Sequence, residues 1–571
     1  KLHQFVAQGG SVHATLQPPE QRVLTMSGQV YTRTETGDQE LRLYPLSFCR
    51  ECGQEFYRVR CAGAPDGTDE LLHAWSPAAR LLTESEEAPP GYLVLETPEQ
   101  DGEPLWSEDA IELLPSEWLE DDASGRLRVR RNYRRYLPQA RYVTPDGRAT
   151  PERRPGAIAA WLRAAPLRLC PRCKVTFTGR EGDYRKLLQL SSEGRSTATT
   201  LLAAAAITHL RREAGPMAPK LLSFTDNRQD ASLQAGHFND FIHTVQLRAA
   251  LYAALRQAPD GALAYHEVAA GTAAALGLDV DAYARQPVAF GPARRDVQTV
   301  FEQLIEYRLY TDLRRAWRVQ QPNLEQCGLL RIEYAGLDAL CADDAYWQKP
   351  ALFGALKPGD RAIVVRVLLD YLRRALAVEA PCLDPTRQDR LRREVREKIS
   401  DEWGLDEDEY MERARRFVTG PIRHERRLYG DAPLVSLGRR SLFGQWLVYR
   451  SPLAPALRSC SSEEYTAFLN ELVTRLAEAN LLVLHEEHGD LRGRLRSSVL
   501  EWRLGDGTPP VDPVRVRRNP AVQRQAQAAN RFFTYLYTSL GQGMAGLLAR
   551  EHTGQISREH RQERERQFRE G

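Results

Sequence analysis

Two Cys-x-x-Cys pairs with similar flanks constrain the fold of this chain more than any other feature. The first pair is Cys49 and Cys52 in LSFCRECGQEFYRVR, and the second is Cys170 and Cys173 in LRLCPRCKVTFTG. Each pair follows a short β-like run and precedes alternating residues, so the unit strand, turn, strand occurs twice. Four thiolates from two such turns complete a tetrahedral zinc site with no open position, which suits structure rather than catalysis. We therefore predict that one structural Zn²⁺ joins the two turns.

The long separation of the two pairs, with residues 53–169 between them, leaves an alternative open. A compact zinc ribbon has a much shorter spacing, so the four cysteines could instead be unrelated reduced thiols or include a redox pair. Nine cysteines in a large chain without a secretory signal favour metal ligands and buried thiols over a disulfide framework. The remaining cysteines have no partner at ligand spacing and are predicted to be buried small hydrophobic residues: Cys61, Cys327, Cys341, Cys382 and Cys460.

Length and composition predict a chain of several folded domains. The 571 residues are 42% hydrophobic and 27% charged, which is typical of globular protein and is too much chain for one core. No run of about 18 apolar residues is present, so a transmembrane helix is not predicted. No signal peptide is visible, and a cytoplasmic location without membrane partners is the expectation. The chain begins with Lys1 rather than Met, which favours an internal piece of a longer protein.

A polar cluster follows an apolar run at residues 221–241, LLSFTDNRQDASLQAGHFNDF. Upstream, Ser196 can cap a helix that continues to about Arg212. The run PKLLSF is predicted to be a short buried strand, and Asp226 or Asn227 can cap the following helix. Helix, strand, polar turn, helix is typical of a parallel α/β sheet, whose ligands bind outside the carboxyl ends of the strands. The polar turn could equally serve only to cap the helix.

The C-terminal sequence GLLAREHTGQISREHRQERERQFREG has a similar pattern. GLLARE is predicted to be a strand and HTGQ a turn, and Ser557 can cap a charged helix that runs to about Glu570. The simpler interpretation of that helix is a solvated surface held by ion pairs between its own side chains.

These two stretches resemble elements of superfamily 2 helicases. His552, Gly554, Arg561 and Phe568 are spaced like the element that precedes motif V, and SFTDNRQDA resembles motif IV of one branch. That branch is the large bacterial DEAD/DEAH-box helicases with a Cys-rich insert, which are kin to the mitomycin-repair helicases and include anti-phage defence proteins. KLHQFVAQGGSV resembles the exit from their first RecA-like domain, SFCRECGQEFY and LCPRC resemble their metal-binding insert, and PNLEQCGLLRIEY is also similar.

The resemblance implies a nucleic-acid interface, with DNA as the expected partner, on the second RecA-like domain. Its implied residues are Thr225, Asp226, Asn227, Arg228, Gln229, His552, Thr553 and Gly554. Backbone amides at the following helix N-terminus could hold a strand phosphate, and Arg228 is the natural charged contact. ATP and Mg²⁺ are implied only for the intact parent protein, and partner proteins of a repair or defence system are compatible with the resemblance.

The chain departs from the helicase pattern at the ATPase motifs. It contains no G-x-x-x-x-G-K-[ST] phosphate loop, no DEAD or DEAH tetrad, and no match to the arginine-finger motif VI. A phosphate cradle needs the glycine-rich turn and its Lys, and Mg²⁺ needs the acidic tetrad. No catalytic residue is therefore assigned, and the chain alone is not expected to hydrolyse ATP.

A second insertion, mainly helical, is predicted between the two sheet pieces. RAIVVRVLLDYLRRALAV at 361–378 has a helical pattern, and residues 462–505 read as helices followed by strand, turn, strand. Helices with a two-stranded wing are typical of a winged helix, in which Arg492, Arg494 and Arg496 would face phosphates. The winged helix could instead be a packing module, because fold does not imply function.

The predicted fold class is multidomain α/β with a β-rich zinc insert, a mainly helical insert and a partial RecA-like parallel sheet. The predicted segments are the exit of a first RecA-like domain at 1–25, the zinc insert at 26–190, the start of a second RecA-like domain at 191–256, the helical insert at 257–520, and the second RecA-like domain continued at 521–571. Three functions compete: the middle of an ATP-dependent helicase or translocase, a non-catalytic zinc and winged-helix nucleic-acid-binding module, and a protein scaffold. The resemblance favours the first.

Overall fold

Chain contacts divide the molecule, seen in a computed structural model, into two units. The barrel unit comprises residues 1–193, 440–445 and 515–524, and the helical unit comprises residues 194–439, 446–514 and 525–571. The chain is therefore multidomain with mixed α and β structure, as the sequence predicted. The structure describes residues 12–570 with gaps at 27–28, 34–39, 51–52, 64–69, 76–88, 97–104, 107–110, 112–113, 115–117, 123–126, 173–174, 178–181, 190–194, 214–219, 225–227, 288–290, 315–320, 407–408, 421–433, 488–489, 515–528, 545–546 and 553–556.

The described residues of the barrel unit form mainly β-strands, with two short helices. Its described strands are β1 (His13–Thr15), β2 (Leu24–Thr25), β3 (Tyr31–Arg33), β4 (Glu40–Cys49), β5 (Glu55–Gly63), β6 (Glu70–Ala74), β7 (Pro90–Leu95), β8 (Leu119–Asp121), β9 (Leu127–Val129), β10 (Gln139–Val143), β11 (Arg148–Thr150), β12 (Ile158–Ala164) and β13 (Leu187–Leu188). The helices are α1 (Arg131–Arg134) and α2 (Asp183–Lys186). β1, which lies within residues 1–25, pairs with β4 and so belongs to the same sheet as strands of the segment 26–190 that was predicted to be a zinc insert.

Six of these strands close into an antiparallel barrel. The pairing order is β5, β6, β11, β10, β12, β7 and back to β5. Because side chains alternate along a strand, Tyr57 and Val59 belong to the buried core that the six strands enclose. Phe56 and Tyr92, at the opposite parity, belong to a second buried cluster on the outer face of the barrel. The outer face is therefore also covered, and this cluster is where the first Cys-x-x-Cys turn packs.

The helical unit contains the remaining helices and two small sheets. Its helices are α3 (Arg195–Glu213), α4 (Arg228–Gln257), α5 (Val268–Leu276), α6 (Pro292–Asp312), α7 (Leu337–Ala342), α8 (Ala351–Gly354), α9 (Pro358–Arg374), α10 (Pro385–Lys398), α11 (Leu442–Tyr449, which begins in residues of the barrel unit), α12 (Ala454–Leu457), α13 (Ser462–Glu478), α14 (Arg531–Tyr535) and α15 (Arg558–Glu570). A π-helical turn (Leu536–Leu540) and a 3₁₀ turn (Gly541–Met544) follow α14. No described helix combines the length and the apolar surface that crossing a bilayer demands.

The two small sheets use strands from widely separated parts of the chain. β14 (Ala262–Ala264), β21 (Leu500–Leu504) and β15 (Leu330–Tyr334) form one antiparallel sheet. The other has the order β16, β20, β17, β18, with β19 paired to β20, and contains parallel pairs at β16–β20 and β17–β18. Its strands are β16 (Val378–Glu379), β17 (Arg416–Val418), β18 (Leu434–Ser436), β19 (Leu482–Glu487) and β20 (Asp490–Arg496). The helix and hairpin predicted within 462–505 are thus present as α13, β19 and β20, whereas β21 joins the first sheet.

Both helices predicted around the polar cluster are present. α3 matches the helix expected from Ser196 to about Arg212, and α4 begins at Arg228, directly after the predicted cap positions. Apolar residues at close to helical spacing form the buried face of α4. These positions are Phe238, Phe241, Ile242, Val245, Leu251 and Leu255.

Segments from both ends of the helical unit pack together, although a long insertion separates them in sequence. Nε2 of Gln246 in α4 donates a hydrogen bond of 2.7 Å to the carbonyl oxygen of Met544. Asn239 forms two hydrogen bonds with the backbone of Ala549, donating to its carbonyl at 3.0 Å and accepting from its N–H at 2.8 Å. These amide side chains bind backbone groups that lie outside regular strands, so they fix the C-terminal segment on α4.

Arg248 ties α4 to two further parts of the same unit. Its Nη2 and Nε atoms donate to the carboxylate of Asp312 in α6 at 2.6 and 3.1 Å. Its Nη1 donates to the Tyr537 hydroxyl at 2.8 Å and to the Pro322 carbonyl at 3.2 Å. Burial alone would lower the pKa of Arg248, but Asp312 and Tyr537 raise it above its ordinary value, so the guanidinium is charged and fully partnered.

The strands predicted from PKLLSF and GLLARE are not confirmed. Residues 220–224 and 547–552 have no strand assignment. Leu222 and Phe224 are 65% and 88% exposed, which is the opposite of the burial predicted for them. A buried parallel strand needs paired neighbours and helices on both faces, and the described residues around these segments supply no such strand. The RecA-like sheet is therefore not seen in the described part of the chain.

Candidate metal centre and nucleic-acid interface

The first Cys-x-x-Cys turn lies at the tip of the β4–β5 hairpin. Cys49 is the last residue of β4, and its N–H donates a hydrogen bond of 2.8 Å to the carbonyl oxygen of Gln54. The Gly53 N–H donates back to the Cys49 carbonyl at 2.7 Å. Gly53 has φ of 72°, a left-handed conformation that glycine adopts without strain, so the residue after Cys52 closes the turn.

The second turn has the same hydrogen-bond register. The N–H of Cys170 donates at 3.0 Å to the carbonyl oxygen of Val175, again five residues further on. The Phe177 N–H donates to the Arg168 carbonyl at 2.9 Å, and Leu169 and Thr176 form an antiparallel bridge. The predicted unit of strand, Cys-x-x-Cys turn, strand is therefore present at the first turn as β4 and β5, whereas a single antiparallel bridge between Leu169 and Thr176 flanks the second turn.

The first cysteine of each pair lies in one buried cluster on the outer face of the barrel. Cys49 and Cys170 are both buried there with Leu167 and Leu187, and Leu187 of β13 pairs directly with Cys49. Neither cysteine is in a disulfide. Cys52 and Cys173 lie outside the described residues, so half of the predicted ligand set has no described position. Among the described residues, no group of three or more potential ligands is assembled.

Three buried cations accompany this cluster among the described residues: Arg58, Arg163 and Lys186. The Lys186 ammonium donates to Asp183 at 3.0 Å and to the Leu167 carbonyl at 2.9 Å. Arg163 of β12 is 1% exposed, and its Nε, Nη1 and Nη2 atoms have no hydrogen-bond partner among the described residues. Burial lowers the pKa of Arg163 to about 9, and the charge of the nearby Cys170 thiolate form opposes this shift.

The described parts of the predicted nucleic-acid interface are the start of α4 and His552. Arg228 and Gln229 are the first two residues of α4, and their side chains lie outside the described residues, as do Thr225, Asp226, Asn227, Thr553 and Gly554. His552 is half-exposed, and its Nε2 lies 3.0 Å from the Glu565 carboxylate of α15. Within this set, His552 is therefore the one residue whose side-chain contacts are described.

Residues next to both halves of the predicted interface contact the same helix, α15. The Lys220 ammonium donates at 3.2 Å to the carbonyl oxygen of Arg569 and lies 5.6 Å from the ring centre of Phe568. His552 contacts Glu565, about one helical turn before Arg569. Lys220, on the N-terminal side of the polar cluster, and His552 thus both contact the C-terminal half of one charged helix.

The arginine row of the predicted wing is only partly available to a ligand. Arg492, Arg494 and Arg496 alternate along β20, and all three are half-buried. Nε of Arg494 donates at 3.2 Å to the carbonyl oxygen of Arg415, and burial lowers the pKa of Arg494. At least Arg494 therefore has a packing role within the helical unit.

Sequence reasoning missed Arg163 because a single arginine in a strand ordinarily marks a solvated face. The alternation of side chains along the strand IAAWLRA could have revealed its position. Ala160 faces the barrel core, so Arg163, three residues later, lies on the outer face. Placing it beside Cys170 still required the register of β12 against β7, which pairs Arg163 with Tyr92.

Comparison with known proteins adds no family assignment. The chain matches no protein-family model. Searches of curated proteins and of solved structures also found no significant match.

Proposed function

We propose that this chain is the middle segment of an ATP-dependent DNA helicase or translocase, in which it contributes a nucleic-acid-binding surface and a structural zinc site. The observation that carries the proposal is the convergence of residues 220–224 and 547–552 on α15 and α4. A motor domain interrupted by a long insertion requires its two halves to meet in space. The finer fold assignments, a RecA-like sheet and a winged helix, are part of this proposal.

The proposed interface would act through backbone phosphates rather than bases. Arg228 stands at the N-terminus of α4, a helix of 30 residues, where free backbone amides and the helix dipole favour an anion. The proposal adds His552, Thr553 and Gly554 from the neighbouring segment to the same groove. Such contacts fix the register of a strand without reading its sequence. ATP and Mg²⁺ would bind other parts of the parent protein, whose closure would shift the grip on the strand.

The proposed zinc site uses Cys49, Cys52, Cys170 and Cys173. Two turns with the same hydrogen-bond register, whose first cysteines share one buried cluster, fit the pattern of paired zinc knuckles. A site closed by four thiolates stabilises the fold and leaves no position for a substrate. Zinc would then hold the second turn against the β4–β5 hairpin at the outer face of the barrel.

A non-catalytic nucleic-acid-binding module is the second candidate function. It is favoured by the sequence itself, which lacks a phosphate loop and an acidic tetrad. The succession of α13 and the β19–β20 hairpin supports a winged-helix element in either case. A scaffold for proteins of a repair or defence system is the third candidate, and strand binding separates it from the other two.

Single-stranded DNA binding by the full chain tests the interface. We expect Arg228→Ala to weaken binding about tenfold, because one charge-assisted hydrogen bond contributes roughly 1.5 kcal/mol. The slope of log affinity against log salt should become shallower by about 0.7, the value for one lost phosphate contact on a single strand. Fluorescence anisotropy with a labelled oligonucleotide over a salt series measures both quantities.

Arg393→Ala provides the matched control, because Arg393 is an exposed arginine of α10 outside the proposed interface. It should leave affinity, salt slope and zinc content unchanged. Equal affinity of the Arg228→Ala variant and the unaltered chain would remove Arg228 from the interface. Absent or salt-insensitive binding by the unaltered chain would favour the scaffold.

A further inference from the structure

Arg163 is a buried cation for which the described residues supply no compensating anion. Its guanidinium is 1% exposed, and all three nitrogen atoms lack a hydrogen-bond partner among those residues. Ionised groups in a protein interior are ordinarily paired, since an isolated buried charge is strongly unfavourable. The arrangement therefore calls for a negative charge at this place.

The hydroxyl group of Tyr92 and the carboxylate of Asp183 in this cluster are already hydrogen-bonded to other groups. Tyr92 lies directly opposite Arg163 in the β7–β12 pair, but its hydroxyl donates to Asp183 at 2.7 Å. Asp183 in turn accepts hydrogen bonds from the Lys186 ammonium and from the Leu167 N–H, both at 3.0 Å. The carboxylate of this cluster thus serves Lys186 and Tyr92. Tyr92, the cross-strand neighbour of Arg163, belongs to the buried cluster that also holds Cys49 and Cys170, so Arg163 lies beside that cluster.

We propose that Arg163 supplies the positive charge that balances a zinc tetrathiolate formed by Cys49, Cys52, Cys170 and Cys173. This inference rests on the zinc site proposed above. Four neutral thiols offer Arg163 no charge, whereas binding of Zn²⁺ releases their four protons to solvent and leaves four thiolates around the metal. The resulting centre carries a net double negative charge, which matches a buried guanidinium at its side.

Arg163 would act through the ligands rather than on the metal, as a positioning residue. Guanidinium N–H groups are donors without acceptors, so they can stabilise thiolate sulfur but cannot ligate zinc. Outer groups of this kind orient the ligands and tune affinity at metal sites in general. Lys186 already has an anionic partner, because its ammonium donates to the Asp183 carboxylate and to the Leu167 carbonyl oxygen.

Competition for zinc between the full chain and a chromophoric chelator tests the proposal. Arg163→Met, which keeps apolar bulk and removes the charge, should weaken zinc binding by about 10- to 100-fold, the range for lost outer-shell partners. Arg163→Lys, which keeps the charge, should recover most of that loss. Arg153→Met removes an exposed arginine from the same unit and should leave zinc affinity unchanged. If the Met variant does not fold, Arg163→Gln takes its place with the same expected loss.

The melting temperature of the zinc-free chain is a second measurement. It distinguishes a charge-balancing role of Arg163 from a role in which its side chain only fills space. After chelator treatment, Arg163→Met should melt at a higher temperature than the unaltered chain, because an unbalanced buried charge has been removed. With zinc bound, the order should reverse. Unaltered chain that binds one zinc with the same affinity as the Met variant would overturn the role of Arg163 alone. Unaltered chain that binds no zinc would overturn both the site and this inference.

Discussion

Replacing Glu325 with Gln is expected to lower the free energy of unfolding of the helical unit by about 3–5 kcal/mol, because it removes a buried carboxylate that accepts hydrogen bonds from two arginines. Oε1 of Glu325 accepts hydrogen bonds of 2.8 Å from Arg373 and from Arg374, and Oε2 accepts one of 3.0 Å from Arg373. Arg373 is completely buried, and its second carboxylate contact is Asp370 at 2.8 Å. An amide has the shape of the carboxylate but neither its charge nor two acceptor oxygens.

Glu563→Gln is the matched control for this substitution. Glu563 pairs with Arg566 within α15 at 2.7 Å, but both side chains are largely exposed, so the expected loss is below about 1 kcal/mol. Urea unfolding followed by tryptophan fluorescence measures both variants. Similar losses for the two would show that the buried pair contributes no more than a surface pair.

The same carboxylate makes the helical unit sensitive to acid. Burial alone would raise the pKa of Glu325, but the guanidiniums of Arg373 and Arg374 outweigh it and hold the pKa well below its usual range. A depressed carboxyl pKa contributes stability that is complete above the unfolded value of about 4.3 and is lost as pH falls further. Unfolding measured from pH 7 to 3 should show this loss in the unaltered chain and a shallower one in Glu325→Gln.

Replacing Cys170 with Ser is expected to reduce bound zinc from about one ion per chain to none and to lower the melting temperature of the barrel unit. Cys170 is completely buried in the cluster that also holds Cys49, so loss of its thiolate would remove a fully enclosed ligand from the proposed coordination sphere. Structural zinc sites contribute folding free energy directly, about 10–16 kcal/mol in isolated finger peptides. Metal analysis of purified protein and calorimetry measure the two effects.

Cys61→Ala is the control that distinguishes the loss of a zinc ligand from the loss of a thiol that binds no metal. Cys61 packs against the barrel core and burial raises the pKa of its thiol to about 12, so it is a neutral thiol at physiological pH. Zinc content should be unchanged in this variant. A folded Cys170→Ser protein that keeps its zinc, or an unaltered chain without zinc, would contradict the proposed site.

The sequence predicted local elements well where the signal was local. The cap at Ser557 is present as a hydrogen bond of 3.3 Å from the His560 N–H, and α9 covers most of the helix predicted at 361–378. The duplicated flanks of the Cys pairs predicted two similar turns, and Cys49 and Cys170 do share a cluster. Capping and periodicity depend on residues within a few positions, so one sequence contains the whole signal.

Features that depend on distant partners were not predictable in this way. PKLLSF has the sequence of a buried strand, but a strand is buried only where neighbouring strands pair with it. Residues 220–224 pair with no strand in the described part of the chain. Closure of the barrel requires β5 to pair with both β6 and β7, a choice no local pattern encodes. The position of Arg163, which has no hydrogen-bond partner in the described part of the chain, became visible only once the register of β12 was known.

The bond between Arg248 and Tyr537 has a consequence for synthesis on the ribosome. The two residues are 289 positions apart, so at about 5–20 residues per second roughly 15–60 s separate their translation. During that interval Arg248 can bind Asp312 and Pro322 but not the hydroxyl group of Tyr537, which completes its set of hydrogen-bond partners. The intervening insert therefore has time to fold first, and α4 acquires its last contacts only when the polypeptide beyond residue 537 emerges.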